Sequence, residues 1–214
     1  MNVLRAELAV TAAGPEAFPC EGLPEIAFLG RSNVGKSSLL NRLAERHKLA
    51  HTSRTPGKTR LIHFYRLDLR FGAEGEFPGS SGQVERVLLV DLPGYGYARV
   101  SKAERIAWRR LVEGYLEGRA VLRAAVLLQD IRRDPGADEE LLLAWLEERR
   151  IPALLVLTKA DKVAAMQRAQ RVRALGRETT VPADRLVTTS ARLGLGVEEL
   201  WRALAGFLWS APPV

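Results

Sequence analysis

The chain has 214 residues, 47% of them hydrophobic, which suits one α/β domain with a sizeable core and leaves two full domains cramped. Its single cysteine, Cys20, excludes an internal disulfide, and no apolar run approaches the roughly 18 residues of a membrane-spanning helix. Six of the 32 basic residues are lysine, so the net charge of +7 is carried by 26 arginines; a polyanionic partner and an Arg-rich background composition both account for it.

In chain order, residues 1–22 read as an N-terminal lead-in that packs on or precedes one domain spanning 23–210. The first residues (MNVLR) form no signal-peptide run, Asn2 is not the glycine of a myristoylation site, and the final APPV holds no prenylation cysteine, so a cytoplasmic protein without membrane attachment is expected. Residues 25–30 form a short apolar strand and 36–46 a helix. Two β-rich runs, 61–70 and 84–91, flank the Gly- and Ser-rich stretch 71–83, which reads as a hairpin loop. Ser101 and Glu104 have capping-box spacing and open a helix to about Gly118. Strands at 124–130, 153–158 and 186–189 alternate with helices at 137–150, 162–176 and 197–209. Continuous apolar strands between amphipathic helices predict a mostly parallel sheet covered on both faces, with ligands at the carboxyl ends of its strands.

The motifs fall at those ends. Gly30, Arg31, Ser32, Asn33, Val34, Gly35, Lys36 and Ser37 match G-x-x-x-x-G-K-[ST] between a strand and a helix, with Ser38 following. Small residues let backbone N–H groups curl around phosphate oxygens, and the helix offers its positive N-terminus to the same anion. Lys36 is expected to reach the β and γ phosphates, and the Ser37 hydroxyl to coordinate Mg²⁺. Asp91, Leu92, Pro93 and Gly94 form D-x-x-G after the next apolar strand. Asp91 would hold Mg²⁺ through water and the Gly94 amide would meet the γ-phosphate.

Thr158, Lys159, Ala160 and Asp161 select the base. A carboxylate at Asp161 accepts hydrogen bonds from guanine N1–H and the exocyclic amine; adenine has no donors so placed and would leave the carboxylate unpaired. Lys159 would lie over the base plane; Thr189 ends the last strand, and Ser190 and Ala191 after it can present N–H to guanine O6. Between the first helix and the second strand, Thr55, Pro56, Gly57, Lys58, Thr59 and Arg60 lie where a loop closes on the γ-phosphate; Thr59 is preferred over Thr55 and Thr52 as the hydroxyl that completes the Mg²⁺ shell. Lys36, Thr59 and Gly94 are thus the candidate catalytic groups. His47, His51 and His63 lack metal-ligand spacing, and Trp201 and Trp209 are expected to pack on the core.

The runs GRSNVGKSSLLN, TPGKTR, DLPGYGYA and TKAD, with Ser190-Ala191, together resemble the EngB family (also called YihA or YsxC), bacterial GTPases implicated in assembly of the large ribosomal subunit. The resemblance covers roughly residues 23–208. It implies a Ras-like, six-stranded P-loop sheet with one antiparallel strand, and it supports Thr59 as the magnesium-binding threonine. It also implies that GTP hydrolysis serves ribosome assembly and so normal growth and division; a monomer is expected. Where Ras-type proteins carry a water-orienting glutamine after D-x-x-G, this chain has Tyr95, so slow intrinsic hydrolysis accelerated by a partner is expected. Asn33 either helps bind K⁺, as asparagine does here in some relatives, or only shapes the loop.

Two basic sets offer a surface for rRNA, against the alternative of solvated helix faces. One is Lys162, Arg168, Arg171, Arg173 and Arg177, with Val163, Val172 and Leu175 turned inward; the other is Arg99, Lys102, Arg105, Arg109 and Arg110. Two competing readings have less support. A P-loop ATPase or small-molecule kinase needs another base pocket, and a passive RNA-binding module would not need Lys36, Ser37, Thr59 and Asp91 together.

Overall fold

The computed structural model describes residues 1–50, 61–71, 83–95, 102–179 and 181–209. Its strands are β1 (Asn2–Ala12), β2 (Glu25–Gly30), β3 (Ile62–Arg70), β4 (Val84–Asp91), β5 (Leu122–Asp130), β6 (Ala153–Thr158) and β7 (Leu186–Thr188). The helices are α1 (Lys36–Leu43), α2 (Lys102–Gly118), α3 (Ala137–Glu148), α4 (Ala165–Glu178) and α5 (Val197–Leu208). Among the described residues the strands form one sheet in the order β1-β3-β4-β2-β5-β6-β7. β3 is antiparallel to both neighbours and the other adjacent pairs are parallel, so a single strand runs against the rest.

The sheet therefore has seven strands where six are expected, because residues 2–12 of the lead-in pair with β3 along its whole length. Two register shifts, between Val3 and Arg5 and between Leu8 and Val10, break the two-residue alternation that would reveal this strand. The antiparallel β3–β4 pair is what the hairpin reading requires, while its loop, 72–82, lies outside the described residues. Helix ends differ by a turn or less for local reasons. α1 stops at Leu43, before Glu45 at φ 51°, and α3 stops at Glu148, before Arg150 at φ 56°. α4 starts at Ala165 because Ala160–Lys162 forms a separate 3₁₀ turn. Ser101 of the expected capping box also lies outside the described residues.

Central strands are buried on both faces: every residue of β2 is buried, as are eight of the nine in β5. Two cores result. α1 and α5 cover one face, with Phe28, Leu40, Val126 and Trp201 among the buried residues; Trp209 packs edge-on against Phe71 with ring centroids 4.5 Å apart. α2, α3 and α4 cover the other, around Leu29, Tyr115, Leu146 and Leu175. No helix among the described residues is long and apolar enough to cross a membrane.

At the amino edge of the sheet, a buried charge ties the lead-in to α2. Glu25 is fully buried and accepts hydrogen bonds from the Tyr115 hydroxyl at 2.7 Å and Arg119 Nε at 3.0 Å. Arg119 also donates to the Pro19 carbonyl at 3.0 Å and lies over the Phe18 ring. Burial, then the Glu25 charge, pushes the Tyr115 hydroxyl well above its ordinary pKa, so it stays a donor. Removing one partner of such a network strands the other charge. Glu25→Ala should therefore lower stability by about 3–5 kcal/mol, read from urea unfolding; an unchanged midpoint would show that the network adds no net stability.

Candidate nucleotide-binding site

The site lies where β2, β4, β5, β6 and β7 end, and each motif reaches it from one of those ends. Beyond β2 the phosphate loop turns on two left-handed residues, Asn33 at φ 64° and Gly35 at φ 110°. Gly35 is the N-cap of α1; its φ is one that L side chains rarely adopt, and it lets the loop close directly onto the first helical turn. Asn33 itself shapes the loop, and its carbonyl is held from outside: Lys159 Nζ donates to it at 2.6 Å. The next carbonyl, of Val34, accepts from Thr158 Oγ1 at 2.7 Å. The TKAD segment thus grips the back of the phosphate loop through two adjacent carbonyls.

The D-x-x-G segment grips its other side. Ser32 N–H donates to the Tyr95 carbonyl at 3.1 Å, and Leu92 N–H donates to the Phe28 carbonyl at 3.2 Å. A side chain at Gly94 would stand 3.2 Å from the Gly30 carbonyl and 3.4 Å from Ser32 Oγ, so this approach favours glycine. Lys36 Nζ donates to Asp91 Oδ1 and, at 2.7 Å, to the Leu92 carbonyl. Asp91 is 6% exposed. Ser37 is half-buried and Ser38 lies beside it on the first turn of α1.

Tyr95 is buried. Its ring packs on Trp108 with centroids 5.8 Å apart, and Trp108 Nε1 donates to the Pro93 carbonyl at 2.7 Å. Its hydroxyl lies beside Glu139 at the start of α3; burial first, then that carboxylate, pushes its pKa far above the ordinary value. Arg31 turns toward the same group, with Nε 3.9 Å from Glu139 Oε1.

At the base pocket, Asp161 Oδ1 accepts from the Ser190 hydroxyl at 2.7 Å. That bond chiefly holds the Asp161 carboxyl below its ordinary pKa against the effect of burial, helped by its own backbone, Lys162 and Arg192. Ala160 N–H bonds to the Thr189 carbonyl at 3.0 Å, joining the segments that follow β6 and β7. One expectation is corrected here. The Ser190 N–H, expected to face a base carbonyl, instead donates to the Leu195 carbonyl at 2.9 Å.

Arg171 is also corrected as a partner contact. Its Nε donates to the Ile131 carbonyl and its Nη2 pairs with Asp134, both at 2.7 Å, so it fastens α4 to the end of β5. Arg168 is half-buried and reaches the Val163 carbonyl at 3.4 Å. Leu175 is buried, and Val163 and Val172 pack against the same core, as the helical pattern requires. Lys162, Arg173 and Arg177 remain exposed. In the second set, Arg110 is exposed and Arg109 pairs with Glu113 at 2.6 Å. Gly57, Lys58, Thr59, Arg99 and the side chains of Lys102 and Arg105 lie outside the described residues.

Asp130 was not among the sequence candidates. It ends β5, is 5% exposed, and lies 3.0 Å from Lys159 Nζ. Its one sequence signal is a carboxylate closing an otherwise apolar strand.

The comparisons agree with this geometry. A family model described as a 50S ribosome-binding GTPase matches residues 25–159. A probable GTP-binding protein EngB of Geobacillus sp. (strain WCH70) is 42% identical over 210 residues, covering 97% of this chain and 100% of the relative. The corresponding protein of Symbiobacterium thermophilum is 41% identical over 93% of this chain and 94% of its own length. Among solved structures, a probable GTP-binding protein EngB superposes with a TM-score of 0.63 at 23% identity, covering 86% of this chain and 98% of that one. Era in complex with MgGDPNP and part of 16S ribosomal RNA superposes at 0.65 and 21% identity, covering 90% of this chain and 59% of that one. With more than two-fifths identity over nearly its full length, the chain belongs to the EngB family of GTP-binding proteins.

Proposed function

We propose that this protein binds GTP and GDP at the site above, hydrolyses GTP slowly with Mg²⁺, and uses the two states as a switch in assembly of the large ribosomal subunit. The observation that carries the base assignment is Asp161. Its carboxylate is fixed by Ser190 in a loop joined to Lys159, with lone pairs left to accept two donors from guanine. An adenine in that place would leave the carboxylate unpaired, which disfavours the ATPase and kinase reading.

Lys36 and Asp91 account for the phosphate end. Asp91 already accepts a cationic group at Oδ1, and together with the Ser37 hydroxyl it offers the hard oxygen donors that Mg²⁺ takes; Thr59 is proposed as a further one. Mg²⁺ held there would offset charge on the β and γ phosphate oxygens. Lys36 would leave Asp91 and the Leu92 carbonyl to meet those oxygens, and the Gly94 amide would donate to the γ-phosphate. Tyr95 contributes no water-orienting group, because its hydroxyl is turned into the core beside Glu139. A residue from a partner surface would supply that function. The description of the matching family model supports the 50S subunit as that partner.

Asp161→Asn should exchange guanine for xanthine preference in nucleotide titrations; retained guanine selectivity, or equal ATP binding by the unmodified protein, would overturn the base assignment. The protein alone should turn over GTP more slowly than about 1 s⁻¹, and Tyr95→Phe should stay within about twofold of it. A large loss in that variant would return the hydroxyl to the chemistry. Replacing the exposed Arg173 and Arg177 with Glu should weaken co-sedimentation with 50S subunits and flatten its salt dependence; unchanged binding would make this helix face a solvated one.

A further inference from the structure

Asp130 belongs to none of the nucleotide-binding motifs, yet bonds from Arg132 and Lys159 meet at its carboxylate. Its position is set by the sheet: Asp130 pairs in register with Thr158, and Ile131 N–H donates to the Thr158 carbonyl at 3.1 Å. The carboxylate is therefore held next to the residue that follows Thr158. That residue, Lys159, has a left-handed backbone at φ 60°, and its ammonium lies 3.0 Å from Asp130 Oδ2 and 2.6 Å from the Asn33 carbonyl.

Arg132 holds the carboxylate from its own backbone and side chain together. Its backbone N–H and Nε approach Oδ1 at 3.1 and 2.9 Å, and its Nη2 approaches Oδ2 at 2.6 Å. A guanidinium fork fixes the plane of a carboxylate, which an ammonium alone does not. Burial acts to raise the Asp130 pKa, but the bonds from Arg132 and then Lys159 outweigh it and keep the group ionised.

We infer that Asp130 is a positioning residue for nucleotide binding: it holds Lys159 against the Asn33 carbonyl and so preorganises both the base-reading loop and the phosphate loop. Without it, Lys159 has one carbonyl to hold a four-carbon chain in place, and the ordering entropy of that chain must be met when nucleotide binds. GDP and GTP share these contacts, so both are affected alike. Asp161 is held separately by Ser190, so base choice is not. The inference rests on the assignment of Lys159 to the guanine pocket.

The test is the dissociation rate of fluorescent GDP and GTP analogues from the full-length protein, measured by chase with unlabelled nucleotide. Asp130→Ala should accelerate release of both about tenfold, the size expected for one hydrogen bond to a charged group. Asp130→Asn, which keeps an acceptor and the side-chain shape, should accelerate it about threefold and gives the answer if the alanine variant does not fold. Guanine-over-xanthine preference should not move. In a Lys159→Ala background, Asp130→Ala should add less than about twofold, because the coupling runs through the lysine. Rates within about twofold of the parent in both variants, or a full tenfold effect without Lys159, would overturn the inference. Absence of saturable guanine-nucleotide binding by the parent would instead remove the site assignment, and this inference with it.

Discussion

The two hydrogen bonds from the end of β6 to the phosphate loop, Thr158 to the Val34 carbonyl and Lys159 to the Asn33 carbonyl, are the contacts on which the rest of the site depends. A peptide whose carbonyl is held outward turns its N–H the other way. Gripping two consecutive carbonyls from behind therefore fixes the planes of both peptides; the Val34 N–H closes the turn on the Arg31 carbonyl at 3.1 Å. Thr158 suits this position because its short, stiff side chain reaches the Val34 carbonyl while also lying 3.2 Å from the Gln129 carbonyl. One residue pair thus links the TKAD segment to the phosphate loop. The sheet supplies the alignment, because β2, β5 and β6 are adjacent parallel strands whose ends lie within two residues of one another.

The opposite side of the loop carries the charge balance. Lys36 and Asp91 lie at 13% and 8% side-chain exposure, where an isolated charge of either sign would be costly. Each neutralises the other, and under the proposed function each would exchange that partner for one from a magnesium nucleotide: phosphate oxygens for the lysine, a divalent cation for the carboxylate. The pair keeps this end of the site electrically balanced. Tyr95 is arranged oppositely. Its backbone carbonyl is bound by Ser32 and its ring is committed to Trp108, so the residue after D-x-x-G acts as a fastener between the phosphate loop and α2.

What could be read from the sequence follows from what is local in it. The strands at 25–30 and 153–158 are short apolar runs and the strand at 84–91 carries the apolar stretch 87–90, and the observed limits of all three coincide with the expected ones. The phosphate-loop, D-x-x-G and TKAD motifs are contiguous, so their placement at strand ends was equally legible. β1 was not, because its exposed residues and two register shifts hide the alternation of an edge strand. Asp130 was not, because its role arises from Lys159, 29 positions later, and Arg132 meeting one carboxylate. The Ser190 amide was assigned to the base because only folding shows that Leu195 takes it. Arg171 looked like a free charge on a helix face; its fork instead bridges to Ile131 and Asp134 across the join between α4 and β5.

The placement of stability and of motion follows from α2. Near its C-terminal end, Tyr115 lies on fully buried Glu25, with Arg119 just beyond, at the amino edge of the sheet. Closer to its start, Trp108 holds the Pro93 carbonyl of the D-x-x-G segment. Seventeen residues at about 1.5 Å each give the helix a length near 25 Å. A buried, multiply bonded anchor at one end and a single hydrogen bond with one ring contact toward the other make the two ends unequal in cost to disturb.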